Sequence, residues 1–293
     1  MSPVRLFVFG LGYSAGRLAR ALVPEAEWVG GTTRTIEKAV ALAAEPGVRP
    51  FVFDGTSPGV GIAEAVKVAT HVVISVAPGE ADPVLAHHRD TLLAAPSLQW
   101  IGYLSSVAVY GNWAGAWVSE ATTPHPLSAR ARQRLAAERA WKALAAERGV
   151  PLAIFRIAGI YGPGRNAVVN LAEGKAHRIV KPGQVFNRIH VDDIVAALAA
   201  AAHKETGGTF NLADDEPAPP QDVVAYAAGL MGVAPPPEQA FEEADLSPMA
   251  RSFYEDNKRV DNTRLRRELV PTLRYPTYRE ALSAMWQQGI WRA

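Results

Sequence analysis

Short apolar runs alternate with helix-length segments of mixed polarity along the first 160 residues. Runs that contain β-branched and aromatic residues and end at turn-forming residues such as Gly10 are typical of buried strands. The predicted strands are residues 4–9, 27–33, 48–53, 71–76, 100–104 and 151–157. The predicted helices are residues 15–22, 35–44, 62–69, 82–95 and 128–148. Strands that alternate with helices predict an α/β fold with a doubly wound parallel sheet.

The alternation weakens after residue 159. Residues 167–186, and those from 217 onward, contain more proline and glycine and shorter apolar runs. We therefore expect a first domain of residues 1–160 that is rejoined by residues 187–212. Residues 161–186 and 213–293 are expected to form a smaller substrate-binding lobe. Substrate would then bind between the two, outside the carboxyl ends of the strands.

A glycine-rich turn lies between the first predicted strand and the first predicted helix. It has the pattern G-x-G-x-x-A, formed by Gly10, Gly12 and Ala15. In this pattern the first glycine permits a tight turn, the second lets the backbone approach a pyrophosphate, and the small third residue packs helix against strand. The pyrophosphate would then lie beside Tyr13 and Ser14, at the N-terminus of the helix that begins near Ser14, where free N–H groups bind anions. The pattern predicts an NAD(P)-binding Rossmann fold, and the alternative is a turn that binds no ligand.

The end of the second predicted strand distinguishes the two cofactors. A site for NAD usually has an acidic residue there, which binds the ribose 2′-hydroxyl. This chain has Thr33 and Arg34 instead, and a guanidinium beside hydroxyls suits a 2′-phosphate. The sequence therefore favours NADP over NAD, unless Arg34 is only a solvated surface charge. Asp54 is expected either to bind the adenine or to form an Asp-Gly turn. The end of the fourth strand is expected to line the cofactor site through Ser75, Ala77 and Pro78.

The charge balance and the absence of cysteine exclude several kinds of function. Thirty basic and 29 acidic residues give a net charge of +1, which provides no field for binding a nucleic acid. A chain without cysteine has no disulfide, thiol catalysis or thiolate metal site. The histidines have no metal-ligand spacing, so we expect no metal. No apolar stretch is long enough to span a bilayer, and we expect a cytoplasmic protein with no membrane partner.

Four motifs occur in an order that matches a known family. They are LSSVAVYG at residues 104–111, FRIAGIYGPG at 155–164, IHVDDI at 189–194 and FNLADDEP at 210–217. Together they resemble the extended and atypical short-chain dehydrogenase/reductases of the NAD-dependent epimerase/dehydratase group. The resemblance implies that Ser106 is the equivalent of the family's catalytic serine. It also implies a homodimer through the long helix that begins near Ser128, as in relatives.

The chain departs from this family at the catalytic helix. Relatives have Tyr-x-x-x-Lys there, with both side chains on one helical face. Alignment on residues 135–138 puts Arg130 at the tyrosine position and Arg134 at the lysine position, and no Tyr or Lys occurs between Glu120 and Trp141. Arginine stays protonated, so it cannot exchange a proton as the family tyrosine does. Both arginines are expected to bind, either to the cofactor or to an anionic substrate.

Another residue must then supply the proton. The resemblance brings Tyr110, Tyr161 and His190 near the expected cleft, although each also fits a packing or turn-forming role. Ser106 is expected to donate a hydrogen bond to a substrate oxygen, with a plain strand-end hydroxyl as the alternative.

Two further groups of residues have a structural and a functional interpretation. Trp113 and Trp117 are expected to pack as lids more than to line a substrate pocket. The basic residues at 258–259 and 264–267 are expected to form a solvated face more than a site for a phosphorylated substrate.

These observations leave two hypotheses of different classes. The first is an NADP-dependent oxidoreductase or epimerase-like enzyme that acts on a small polar or nucleotide-linked substrate with a non-standard proton donor. The second is a catalytically inactive NADP(H)-binding redox sensor or partner-binding protein. The retained Ser106 and motif loops favour the first, and the loss of both the Tyr and the Lys favours the second.

Overall fold

The computed structural model describes residues 3–292. The outermost residues of the two predicted domains, which are Met1, Ser2 and Ala293, lie outside the described residues. Up to residue 157 the elements are β1 (Arg5–Phe9), α1 (Tyr13–Leu22), β2 (Trp28–Thr33), α2 (Ile36–Ala43), β3 (Val48–Val52), α3 (Ile62–Val68), β4 (His71–Ile74), α4 (Pro83–Ala94), β5 (Trp100–Ser106), a short 3₁₀ helix (Val107–Tyr110), β6 (Trp117–Val118), α5 (Ala129–Arg148) and β7 (Leu152–Ile157).

The remaining elements are shorter on average. They are β8 (Gly159–Tyr161), α6 (Ala167–Ala172), β9 (Arg178–Val180), β10 (Arg188–His190), α7 (Val191–His203), β11 (Gly208–Leu212), α8 (Pro220–Met231), β12 (Glu238–Ala240), α9 (Pro248–Phe253), β13 (Arg259–Val260), α10 (Thr263–Glu268) and α11 (Tyr278–Gln287). No helix of the described chain combines the length and apolarity needed to cross a membrane.

The main sheet has seven strands in the order β11-β7-β5-β4-β1-β2-β3. β1 pairs in parallel with both β2 and β4, β2 with β3, and β4 with β5. The strand order reverses between β1 and β4, because the chain runs outward to β3 and then returns to the other side of β1. This confirms the predicted α/β fold with a doubly wound parallel sheet of the Rossmann type.

The chain divides into two compact units. The first contains residues 1–106, 129–156 and 195–210, and the second contains residues 107–128, 157–194 and 211–293. The segment 107–128, which the sequence-based division assigns to the nucleotide-binding domain, clusters with the second unit.

Each unit has its own core. In the first, aromatic residues of the sheet such as Phe7, Phe9 and Tyr103 pack with Trp141 of α5. In the second, α8 and α11 pack around Tyr278 and Met285. Three small parallel pairs, β10 with β8, β12 with β9 and β13 with β6, join distant parts of the sequence.

Candidate functional site

The glycine turn lies at the point where the strand order of the sheet reverses. β1 ends at Phe9, and its carbonyl accepts a hydrogen bond of 2.8 Å from the N–H of Ser75, just after β4. On the other side, the N–H of Gly10 donates to the hydroxyl of Thr32 at 2.8 Å, and Leu11 N–H donates to the Thr32 carbonyl at 2.7 Å. The turn is therefore fixed between the carboxyl ends of β2 and β4, where doubly wound sheets bind ligands.

The two glycines of the turn are required for different reasons. Gly10 has a φ of +94°, and a Cβ there would lie 3.1 Å from Cγ2 of Val76. Gly12 has an ordinary φ of −85°, and a Cβ there would meet no protein atom within 4 Å. The protein's own conformation therefore requires glycine at position 10 only. At position 12 the open space is what the close approach of a ligand to the backbone needs.

The N-terminus of α1 has the features of an anion site. Gly12 occupies the N-cap without a side-chain hydrogen bond, and the first turn has no acidic residue. The Ser14 side chain in this turn is 6% exposed, and its hydroxyl has no hydrogen-bond partner within residues 3–292. A buried hydroxyl without a partner is costly, whereas an anion at the helix N-terminus would satisfy it and interact with the helix dipole.

Arg34 is available to bind a ligand, whereas the Asp54 carboxylate is already engaged. Arg34 follows β2, is exposed, and has no hydrogen-bond or ion-pair partner among residues 3–292. Thr33 beside it is buried. Asp54 accepts hydrogen bonds from the N–H and the hydroxyl of Thr56, at 2.8 and 2.7 Å. Both bonds lower the pKa of Asp54, and the bond from the Thr56 N–H has the larger effect. These bonds close the turn at Asp54, and adenine binding by this residue stays a prediction.

The other predicted cofactor residues also lie at strand ends of the first unit. Ala15 is fully buried in α1. Ser75 is half-buried and Ala77 is exposed, directly after β4, and Pro78 follows them. The sheet therefore brings the predicted nucleotide-binding residues to one edge, at the carboxyl ends of neighbouring strands.

β5 and α5 carry the predicted catalytic residues of the first unit. Ser106 is half-buried at the end of β5, and Arg130 is exposed in the first turn of α5. One guanidinium nitrogen of Arg134, Nη1, donates to the Leu104 carbonyl at 2.8 Å and to the Tyr103 hydroxyl at 3.4 Å. The other two guanidinium nitrogens of Arg134, Nε and Nη2, form no hydrogen bond with a residue in 3–292. Their N–H groups are therefore available to a ligand.

A buried ion pair connects α5 to the strands that carry the site, and the sequence did not single it out. Glu138 is 1% exposed on α5 and accepts two hydrogen bonds from Arg156 of β7, at 3.1 and 2.8 Å. Ser105, next to Ser106, donates a third at 2.6 Å. The spacing of Glu138 four residues beyond Arg134 was the available signal, because it places both side chains on one helical face.

The three proton-donor candidates of the second unit are buried and engaged. The Tyr110 hydroxyl donates to Oδ1 of Asn211 at 2.7 Å. The Tyr161 hydroxyl donates to Oδ2 of Asp214 at 3.4 Å, and burial raises the pKa of Tyr161. His190 packs 4.2 Å from the Tyr275 ring centre, and its Nδ1 accepts the N–H of Asp192 at 3.2 Å. These contacts agree with the packing and turn-forming roles left open by the sequence.

The prediction of a solvated basic face near the C-terminus is wrong for Lys258. This side chain is 4% exposed and donates to the Gly111 carbonyl at 3.0 Å. Of the other basic residues there, Arg266 pairs with Asp215 and both Arg264 and Arg267 pair with Glu268, whereas Arg259 donates a hydrogen bond to the Gly115 carbonyl. The reason is the pairing of β13 with β6, which draws Lys258 into the second unit. Among residues 3–292 there is no cluster of metal-binding side chains.

Comparisons with known proteins give a family match and solved structures of the same fold. The model of the NAD dependent epimerase/dehydratase family matches residues 92–213. A functionally unknown conserved protein from Silicibacter pomeroyi DSS is 46% identical, with a TM-score of 0.87 over 98% of this chain and 99% of that one. The UDP-glucuronic acid 4-epimerase of Bacillus cereus, solved with NAD, has the same fold at 18% identity, with a TM-score of 0.76 over 97% of this chain and 98% of that one.

A curated relative matches part of the sequence. It is a 3-diazoavenalumate denitrifying reductase from Streptomyces sp, 29% identical over 140 residues. The matched region is 44% of this chain and 45% of the reductase, so this chain spans less than half of that relative's length.

Proposed function

We propose that the chain is an NADP(H)-dependent oxidoreductase or epimerase-like enzyme of the NAD dependent epimerase/dehydratase family, whose model matches residues 92–213. Its substrate is a small polar or nucleotide-linked molecule. One observation carries the proposal, the unpartnered buried hydroxyl of Ser14 at the N-terminus of α1, beside the open space at Gly12. A dinucleotide pyrophosphate fits both features, because it is an anion that approaches the backbone closely. The match to a reductase favours the enzyme over an inactive sensor.

The phosphorylated cofactor is preferred because of the charge at the end of β2. Arg34 has no carboxylate partner in the described chain, and the strand end has no acidic residue that would bind a ribose 2′-hydroxyl. A guanidinium forms forked, charge-assisted hydrogen bonds with a phosphate. The Bacillus cereus epimerase with the same fold was solved with NAD, so the two cofactors are compared directly in the titration below.

The first unit also supplies groups that polarise a substrate. When bound, the nicotinamide supplies or accepts a hydride. Ser106 donates a hydrogen bond to the reacting oxygen, and Arg130 and Arg134 stabilise negative charge on it. Arg134 is held for this role by the Leu104 carbonyl, which orients its guanidinium without neutralising it. Neither arginine transfers the proton, which comes from another group.

Calorimetric titration with NADPH, NADP, NADH and NAD tests the proposal. We expect the phosphorylated pair to bind at least about ten-fold more tightly, on the order of 1.4 kcal/mol. Binding of none of the four would refute the enzyme and the nucleotide site together. Tighter binding of NADH and NAD would refute only the preference for NADP.

A variant and its control test whether Arg34 is the source of the preference for NADPH over NADH. Arg34→Ala should weaken NADPH binding by about ten-fold or more and leave NADH binding nearly unchanged. The control is Arg139→Ala, which removes another exposed arginine of the same unit, on α5. Equal losses for NADPH and NADH in Arg34→Ala would show that this residue does not bind the 2′-phosphate.

A further inference from the structure

The first two turns of α1 contain a cation to which the proposed function gives no role. Arg17 is half-buried and lies four residues beyond Tyr13, on the same face of the helix. Its guanidinium carbon lies 4.9 Å from the centre of the Tyr13 ring. Tyr13 directly follows Gly12, so the Arg17 side chain extends back towards the start of the helix and the nucleotide turn.

No carboxylate of the described chain compensates this guanidinium. Arg17 has no hydrogen bond and no ion pair with a residue in 3–292. Arg20, the other arginine of α1, differs because it pairs with Glu45 at 2.6 Å. A half-buried charge has lost part of its hydration, so Arg17 needs a counter-charge that its own chain does not provide.

The position of the guanidinium is also unfavourable for the helix itself. The N-terminus of a helix carries partial positive charge, so acidic side chains stabilise it and cations destabilise it. The first turn of α1 has no acidic residue, and the N-cap Gly12 provides no side-chain hydrogen bond. Arg17 therefore adds positive charge at the end of α1 that is already positive, and a bound anion would make this arrangement favourable.

The buried hydroxyl of Ser14 is a second and independent sign of an anion at this end of the helix. Ser14 is 6% exposed, and its hydroxyl has no hydrogen-bond partner among residues 3–292. Beside it, a Cβ at Gly12 would meet no protein atom within 4 Å. A free donor, an uncompensated cation and open space thus occur together in the first two turns of one helix.

We propose that Arg17 binds the pyrophosphate of the cofactor, with its guanidinium held in place by the Tyr13 ring. The inference rests on the proposed function, because it adds a residue to the same nucleotide site. A planar guanidinium stacks on an aromatic face and keeps the N–H groups at its edge for phosphate oxygens. The glycine pattern does not predict this role, because Arg17 lies beyond its last residue, Ala15.

The pyrophosphate is a better partner for Arg17 than the 2′-phosphate of NADP. The Tyr13 ring that holds the guanidinium follows Gly12, where the backbone is open to a ligand, whereas the cation proposed for the 2′-phosphate, Arg34, follows β2. NAD and NADP share the pyrophosphate. Arg17 therefore contributes to the affinity for both cofactors, and Arg34 contributes to the preference between them.

Calorimetric titration of Arg17→Met with NADPH and NADH tests the proposal. Methionine keeps an unbranched side chain and removes the charge, so we expect both cofactors to bind about ten-fold more weakly or worse, by similar factors. Arg17→Lys restores the charge without the planar fork and should lose less affinity than Arg17→Met. Unchanged binding in Arg17→Met, or a loss for NADPH alone, would overturn the proposal.

The same titrations separate this proposal from the one on which it rests. Wild-type protein that binds neither cofactor would refute the nucleotide site itself. Wild-type binding that Arg17→Met retains would refute only the role of Arg17. The control, Arg139→Met, makes the same substitution at an exposed arginine of α5 and should bind both cofactors like the wild type.

Urea denaturation of the cofactor-free variant distinguishes binding from a structural role. The midpoint of Arg17→Met should be equal to or higher than that of the wild type, because the substitution removes a cation from the positive end of α1. A lower midpoint combined with wild-type affinities would give Arg17 a structural role and overturn the proposal.

A double variant tests whether Tyr13 positions the guanidinium. Tyr13→Leu removes the ring on which Arg17 stacks, so it should weaken the binding of NADPH and NADH by a smaller factor than Arg17→Met does. Once the guanidinium is absent, the ring has nothing to position. The loss in Tyr13→Leu combined with Arg17→Met should therefore be smaller than the product of the two single losses. A loss equal to that product would overturn the role of Tyr13.

Discussion

At the scale of single residues, the two glycines of the nucleotide turn have different roles: Gly10 is needed for folding and Gly12 for ligand binding. Gly12→Ala adds a methyl group that meets no protein atom, at a backbone conformation open to alanine. Its effect on the free energy of unfolding should stay below about 1 kcal/mol, the usual range for a helix N-cap. NADPH binding should weaken by about ten-fold or more, because the methyl group occupies the space for the pyrophosphate.

Gly10→Ala is the matched control and should behave in the opposite way. Its φ of +94° and the Val76 contact at 3.1 Å make any side chain strained. We expect a loss of about 1 to 3 kcal/mol in the free energy of unfolding, measured with urea. Wild-type NADPH affinity in Gly12→Ala would show that no ligand approaches the backbone at this turn.

Local sequence patterns predicted some of these residue environments and not others. The spacing of Gly10 and Gly12 is informative because the turn is a local structure, set by a few consecutive dihedral angles. The burial of Asp214 and Lys258 is different. Both lie in polar stretches that are typical of exposed turns, and both are buried by contacts with segments far away in sequence. No periodicity within either stretch carries that information.

At the scale of elements, hydrophobic alternation predicted the first unit well and the second poorly. The strands and helices predicted up to residue 157 are all present, with ends that differ by a few residues. The pairing of β6 with β13 was not predicted, because each strand has two residues and about 140 residues separate them. Such short strands have no measurable period, and only the folded unit brings them together.

The ion pair between α5 and β7 should contribute strongly to stability. Arg156→Leu leaves the Glu138 carboxylate buried without its charged partner, so we expect a loss of about 3 to 5 kcal/mol in the free energy of unfolding. Urea denaturation measures it. Glu138→Leu combined with Arg156→Leu should recover much of this loss, because no unpaired charge remains.

An exposed ion pair of the same unit is the control for that prediction. Arg20 and Glu45 lie 2.6 Å apart, with side chains that are 51% and 41% exposed. Arg20→Ala should therefore cost no more than about 1 kcal/mol. A similar small loss in Arg156→Leu would mean that water reaches Glu138 and that the pair does not fix α5 to the sheet.

At the scale of the whole molecule, two buried histidines should make the fold sensitive to acid. Burial is the main cause that lowers the pKa of both His71 and His88 from the ordinary value of 6.5. Below pH 6.5 the unfolded chain binds protons that the folded protein does not, so their contribution to stability falls as the pH falls. His88 packs 5.3 Å from the Phe9 ring centre and 5.5 Å from that of Phe53.

The variant His88→Leu measures how much His88 contributes to the loss of stability at low pH. The variant should lose less stability than the wild type between pH 6.5 and pH 5, as followed by urea denaturation at each pH. A parallel fall in the two proteins would show that His88 titrates normally in the folded state.

Asp214 should affect stability in the opposite direction, because burial raises its pKa from 3.8 to about 8. Between these values the folded protein holds a proton that the unfolded chain has lost, so the contribution of Asp214 falls as the pH rises. Relative to Asp214→Asn, which has no titrating group, the wild type should lose at most about 1.4 kcal/mol per pH unit between pH 5 and pH 8. A pH-independent difference would mean that Arg188 keeps Asp214 ionised in the folded protein.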